Sequence, residues 1–192
     1  MPIITVEAPI SEPVSIEEAR SQCRIDADIT GEDELLEHYI AAAREYCEIH
    51  TGRHFTVKTM RYIGPWQPEK IELSATLQAV NFVQYQDHEN KPAALPDTDY
   101  YVDTVSLVGC LIPLAPWPST YRTHPHPVII EFEVGERDEQ ANSTCPAQIK
   151  QAILLLVAHW YGNREATGFT NLSKEVEFSV KCLLAPHRII NV

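Results

Sequence analysis

The stretch that most constrains this chain is Cys145 to Arg164, CPAQIKQAILLLVAHWYGNR. From Ile149 to Tyr161 the apolar run is interrupted only by Lys150, Gln151 and His159. Leu154 to Val157 are consecutive apolar residues, so on a 3.6-residue period they point to every side. A helix that is apolar around most of its circumference is a buried one. Pro146 suits a first turn, where its missing N–H leaves no bond unmade, and Gly162 supplies a stop just past Tyr161. About 16 residues rising about 1.5 Å each make a rod of roughly 24 Å, the width of a small domain. The run is too short and too interrupted for the ~20 apolar residues that cross a bilayer. The expectation is a central core helix on which other helices pack.

Composition narrows the classes. The 192 residues, 44% of them hydrophobic, suffice for a core in one domain or a modest two. Fifteen basic residues against 27 acidic ones leave a formal charge of −12. A duplex binder needs clustered Lys and Arg to neutralise phosphates, and an anionic membrane surface asks the same, so the balance argues against both. The five cysteines (Cys23, Cys47, Cys110, Cys145, Cys182) are scattered and form no CxxC pair. They read as free thiols packed like small hydrophobes in a reducing cytosol. The opening, MPIITVEAPI, has neither a basic n-region nor a long apolar run, so no signal peptide is expected.

Taken in order, residues 1–14 read as an extended lead-in. Ser15 with Glu18 forms a capping box, which predicts a short helix to about Cys23 with Ile16, Ala19 and Cys23 inward. Asp26 to Ile29 is an acidic turn, too short for a calcium loop. Thr30 with Asp33 predicts the cap of a second helix, and Gly52 is its C′ residue. Leu36, Ile40, Ala43 and Cys47 form its packing stripe. Glu37, Arg44, Glu45 and Glu48 lie on the face given to water or a partner.

From Arg53 the period changes to 2, the sharpest boundary in the chain. Strands are predicted from Phe55 to Ile63, Ile71 to Leu73 and Val80 to Tyr85, with a hairpin turn from Asp87 to Pro92. Tyr100 to Asp103 and Leu107 to Ile112 predict a further pair. A Pro-rich loop runs from Pro113 to Pro127, and Val128 to Val134 alternates as a strand with one polar face. Gly135 to Thr144 reads as a linker back to the central helix. A last helix is predicted near Lys174 to Ala185, on the stripe Val176, Val180, Leu183 and Leu184, with Pro186 ending it.

Catalytic signatures are sparse. There is no G-x-S-x-G elbow, P-loop, HExxH or dinucleotide fingerprint, and seven glycines are few for cradling phosphates. His124 and His126 have ligand-like spacing, but Pro125 and Pro127 make the segment a loop and no third ligand completes a set. His159 reads as a core or interface histidine, and His38 and His50 as surface positions. Glu131 and Glu133 share a strand face, as any solvated strand surface allows.

Three segments, PVSIEEARSQCRID, DELLEHYIAAAREYCEIHTGR and CPAQIKQAILLLVAHWYGNREA, stand in this order and separation. Together with the closing Leu183-Leu184-Ala185-Pro186-His187-Arg188 they resemble the head–tail connector (adaptor, head-completion) proteins of long-tailed phages and prophages. The resemblance covers essentially the whole chain, and its motifs are helix-packing patterns whose shared order carries the weight. Cys23 and Cys47 depart from the aliphatic or small residues expected there. The resemblance implies a non-enzymatic structural protein of the virion neck, assembled in the bacterial host cytoplasm. It would form a ring, usually of twelve copies, under the portal protein. The ring would extend the DNA channel and dock a stopper or tail-completion protein, with DNA only as passing cargo, no cofactor and no membrane.

The expected fold is α+β: a helical bundle from residues 1–52 and 143–192, with a mainly antiparallel β module, residues 53–142, inserted between. Glu37, Arg44, Glu48, Tyr161 and Arg164 are the candidate subunit interface. His187, Arg188, Ile189, Ile190 and Val192 are the candidate portal contact, an extended tail suited to strand addition. The competing reading from another class is a small metal-dependent hydrolase using the loop histidines His124 and His126.

Overall fold

The computed structural model describes residues 3–9, 11–26, 29, 31–136, 144–164 and 174–189. The fold is α+β, and the chain divides into two compact units, residues 1–10 with 56–137, and residues 11–55 with 138–192.

The described strands of the first unit all pair antiparallel. Its strands are β1 (Ile3–Glu7), β2 (Lys58–Gly64), β3 (Ile71–Ser74), β4 (Leu77–Gln86), β5 (Pro92–Ala94), β6 (Tyr100–Asp103), β7 (Gly109–Pro113) and β8 (Val128–Val134). A five-stranded sheet runs β1-β2-β8-β4-β5 and a three-stranded sheet runs β3-β7-β6. Strand β8 lies at the centre of the larger sheet, and its strict alternation explains why. Val128, Ile130, Phe132 and Val134 are fully buried on one face, while Ile129, Glu131 and Glu133 are half-buried on the other. The β4–β5 hairpin closes where expected: Asp87 Oδ1 accepts the N–H groups of Glu89 (2.8 Å) and Lys91 (2.9 Å), and Asn90 takes φ +61°. The Pro-rich loop is pinned by Trp117, which stacks on Trp66 (4.4 Å between centroids, 3° between planes) and donates Nε1–H to Gln67 O at 2.6 Å. Gly135, at φ +118°, ends β8 where a Cβ would fall 2.4 Å from Thr56 O.

Two boundaries differ from the expectation. Residues 1–10 do not join the helical bundle; β1 pairs with β2, Ile4 opposite Arg61. Its partner lies more than fifty positions away, and a five-residue strand carries no local sign of that partner. The other shift concerns Phe55, predicted as a strand residue. It is fully buried in the helical core, and the ladder begins at Lys58.

The second unit contains α1 (Ile16–Cys23), α2 (Asp33–Thr51), α3 (Ala147–Gly162) and α4 (Lys174–Leu184), then a 3-10 turn, Ala185–His187. Helix α3 is the central one: α1, α2 and α4 all pack on it. Ile149, Ala152, Ile153, Leu156 and Val157 are fully buried, and Leu154 and Leu155 are partly buried against the same cluster. Each large side chain buried this way contributes about 1.5–3 kcal/mol. The capping box of α1 is formed, with Glu18 N–H donating to Ser15 Oγ (3.2 Å) and Ser15 N–H to Glu18 Oε2 (2.8 Å). Leu36, Ile40, Ala43 and Cys47 form the buried stripe of α2, and Gly52, at φ +73°, is its left-handed cap. Burial in this stripe pushes the Cys47 thiol up to about 12.

Candidate functional site

The residues expected to form the subunit interface fall into two groups with opposite environments. Arg44 and Glu48 sit one turn apart on α2, a spacing that ordinarily gives a solvated pair. Here they are 4% and 5% exposed. The water-facing side expected for them is a polar pocket inside the helical unit. Arg44 Nη1 donates to Glu48 Oε2 at 3.1 Å, and Arg44 Nε donates to Glu12 Oε2 at 2.8 Å. The second oxygen of Glu48, Oε1, accepts the N–H of Phe55 at 3.0 Å, and His54 Nδ1 lies 3.6 Å from Oε2. Burial pulls the Arg44 guanidinium down, but the hydrogen bond and charge of Glu12, then Glu48 and Glu45, outweigh it and leave its pKa raised. The cluster ties three chain segments together: the approach to α1, the body of α2 and the exit of α2. Its function is to close the fold. The sequence signal missed was Glu12, a carboxylate in a Pro-bounded segment with no local partner.

The second group is half-exposed and joins the start of α2 to the end of α3. Glu32 occupies the N-cap position without making a side-chain cap bond, and Thr30, the cap expected from sequence, lies outside the described residues. The Glu32 carboxylate instead accepts the Tyr161 hydroxyl and Arg164 Nη2–H, the latter at 2.8 Å. The Arg164 guanidinium lies 4.4 Å from the Tyr161 ring centroid, over its face. The Arg164 hydrogen bond, then that of Tyr161, holds the Glu32 carboxyl below the usual range, and Glu32 in turn raises the Tyr161 hydroxyl and the Arg164 guanidinium. Beside it, Arg20 grips both oxygens of Asp33, with Oδ2 at 2.6 Å. Of the predicted interface residues, this surface brings Tyr161 and Arg164 together, and Glu37 is exposed elsewhere on α2.

The predicted tail contact is only partly described. His187 Nε2 is 2.8 Å from Gln148 Oε1, Arg188 is exposed, and Ile189 donates its N–H to Thr51 O at 2.8 Å. These residues are held against the ends of α2 and α3. Ile190 and Val192 lie outside the described residues. In the β unit, the loop histidines engage each other, His124 Nδ1 accepting the N–H of His126 at 3.2 Å. Among the described residues no three His, Cys, Asp or Glu side chains converge as metal ligands. Among the described residues no helix is long and apolar enough to cross a membrane.

Comparison with known proteins agrees with the sequence resemblance. Residues 13–106 match the family model of the phage gp6-like head-tail connector protein. No curated protein matches the chain. Among solved structures, a chain of the neck of an empty gene transfer agent (GTA) particle, computed with C6 symmetry, is similar with a TM-score of 0.81 at 21% identity, over 100% of this chain and 97% of that one. A chain of the virion of the native particle gives 0.78 at 22% identity, over 100% and 97%. A chain of the native particle's neck, computed with C12 symmetry, gives 0.74 at 20% identity, with the same coverage. At these identities the likeness is one of fold, and it runs through both units.

Proposed function

We propose that this chain is the adaptor of a tailed phage or phage-like particle, since residues 13–106 match the family model of the phage gp6-like head-tail connector protein. It works as a structural component of the virion neck. The family match carries the reading, and the shared fold with chains of gene transfer agent particles over the full length supports it. Those neck structures have C6 and C12 symmetry, which favours a ring of twelve copies here. The ring sits under the portal, extends the DNA channel and presents a surface to a stopper or tail-completion protein. Its net charge of −12 suits a channel through which DNA passes without adhering.

Glu37 and the cluster of Tyr161 and Arg164 are the parts of the expected interface that remain accessible for neighbouring copies; Arg44 and Glu48 act inside each copy. The tail from His187 onward is the segment offered to the portal. Sedimentation velocity of the purified chain, alone and with the portal ring of the same particle, tests this. A discrete heavy species with many copies per portal is expected, and a chain that stays monomeric beside an intact portal ring overturns the reading.

A further inference from the structure

The buried stripe of α2 ends in a cysteine, and a second cysteine stands at the entry to α3. Cys47 is fully buried. Cys145 precedes Pro146, the N-cap of α3, and is half-buried against the same apolar cluster. The two helices run antiparallel, since Glu32 at the start of α2 holds Tyr161 and Arg164 at the end of α3. Cys47 is 15 residues beyond Glu32, and Cys145 is 16 before Tyr161. At about 1.5 Å per residue they lie roughly 22 and 24 Å from that contact, so they share one level of the helix pair.

The end of the chain marks the same level independently. His187 Nε2 lies 2.8 Å from Gln148 Oε1, and Ile189 donates its N–H to Thr51 O at 2.8 Å. A step of two residues therefore bridges the start of α3 and the end of α2. The thiols also sense each other: burial first, and the neighbouring Cys145 second, push the Cys47 thiol up to about 12. The other cysteines are placed differently. Cys23 lies toward the opposite end of the pair, in the field of Arg164, Cys110 belongs to β7, and Cys182 is exposed on α4.

We propose that Cys47 and Cys145 join as a disulfide under oxidising conditions, pinning the C-terminal half of α2 to the entry of α3. The segment between them, residues 48–144, contains strands β2 to β8. The bond therefore closes a long loop, the case in which a crosslink most restricts the unfolded chain. Oxidised glutathione suffices as oxidant. The accessible Cys145 thiolate attacks its S–S bond, forms a mixed disulfide and releases one glutathione thiolate. Cys47 passes its proton to that thiolate and attacks the Cys145 sulfur, releasing the second glutathione. Two protein thiols are oxidised and one glutathione disulfide is reduced to two thiols. The buried Cys47 resists ionisation, so the second step is the slow one. A disulfide needs Cα atoms within about 7 Å of each other. Cys145 lies ahead of the first helical residue, Ala147, so it can close that distance without breaking the α3 ladder.

The test incubates the full chain, folded, with excess oxidised glutathione, then alkylates the remaining thiols and reads the intact mass and a non-reducing digest. The expected product links the Cys47 and Cys145 peptides. Its thermal midpoint is expected to rise by roughly 5–15 °C and to fall back with dithiothreitol. Cys145→Ser should abolish both the link and the rise, and Cys182→Ser should keep both. Five free thiols after incubation, a Cys145–glutathione adduct that persists, or a link through Cys23, Cys110 or Cys182 overturns the proposal. An oxidised form that melts lower than the reduced one does the same, because the native packing then does not accommodate the bond. The adaptor reading stands apart from each of these outcomes.

Discussion

Helix α2 carries a carboxylate–guanidinium cluster near each end, built from the same residue types and put to different uses. At its C-terminal half, Arg44 and Glu48 are buried with Glu12 and the Phe55 amide. At its start, Glu32 meets Arg164 and Tyr161 where water reaches all three. Charges taken out of water must be fully partnered, and removing one leaves another stranded in a low dielectric. Charges at the surface are screened, and losing one is absorbed by solvent. Burial, more than residue type or spacing, therefore decides which cluster holds the fold and which is free to take part in assembly.

The largest expected effect breaks the buried side. Glu48→Ala takes the partner from Arg44 Nη1 and from the Phe55 N–H while Arg44 keeps Glu12, and a loss of about 2–3 kcal/mol in chemical unfolding is expected. A loss below ~1 kcal/mol is what a solvated pair gives, and it would erase the contrast between the two ends. Glu48→Gln keeps an oxygen for Phe55 and falls between the two. A cycle of Arg44→Met with Glu48→Gln then sharpens the comparison: groups in one network couple, by about 1–3 kcal/mol here. Additive losses would mean that the two side chains act separately despite their 3.1 Å contact. The matching cycle of Arg164→Gln with Glu32→Gln is expected to show no resolvable coupling in unfolding.

How much of this was legible in the sequence follows the range of the interactions. Local signals worked: the Ser15–Glu18 box, the stripe from Leu36 to Cys47, the all-round apolar face of α3 and the strict alternation of β8 each appear where periodicity or spacing put them. What failed was non-local. Arg44 and Glu48 have the spacing of a surface pair, and only Glu12, 32 positions from Arg44, together with the returning chain at His54 and Phe55, turns that face inward. The pairing of β1 with β2 was hidden for the same reason. The β6–β7 pair was legible as two strands, but its second was expected from Leu107 and the ladder begins at Gly109.

The smallest expected effect lies at the exposed end and is read by titration, not by stability. The Glu32 carboxyl is held below the ordinary glutamate value of 4.5 by the Arg164 hydrogen bond first and the Tyr161 hydroxyl second. A folded-state pKa that is depressed means the cluster contributes fully above the unfolded value. That contribution fades as pH falls below 4.5 and through the depressed folded pKa. Arg164→Gln removes the larger cause, so the Glu32 midpoint, followed by carboxyl carbon NMR, should move up toward 4.5, and Tyr161→Phe should move it less. High salt should shift the parent in the same direction, since the charges are within reach of counterions. The buried cluster should not respond to salt in this way, because no counterion replaces Arg44 beside Glu48. A Glu32 midpoint insensitive to both Arg164→Gln and salt would mean the contact is not populated in solution. The link between the start of α2 and the end of α3 would then rest on apolar packing alone, in the place where Tyr39 meets Trp160 at 6.2 Å.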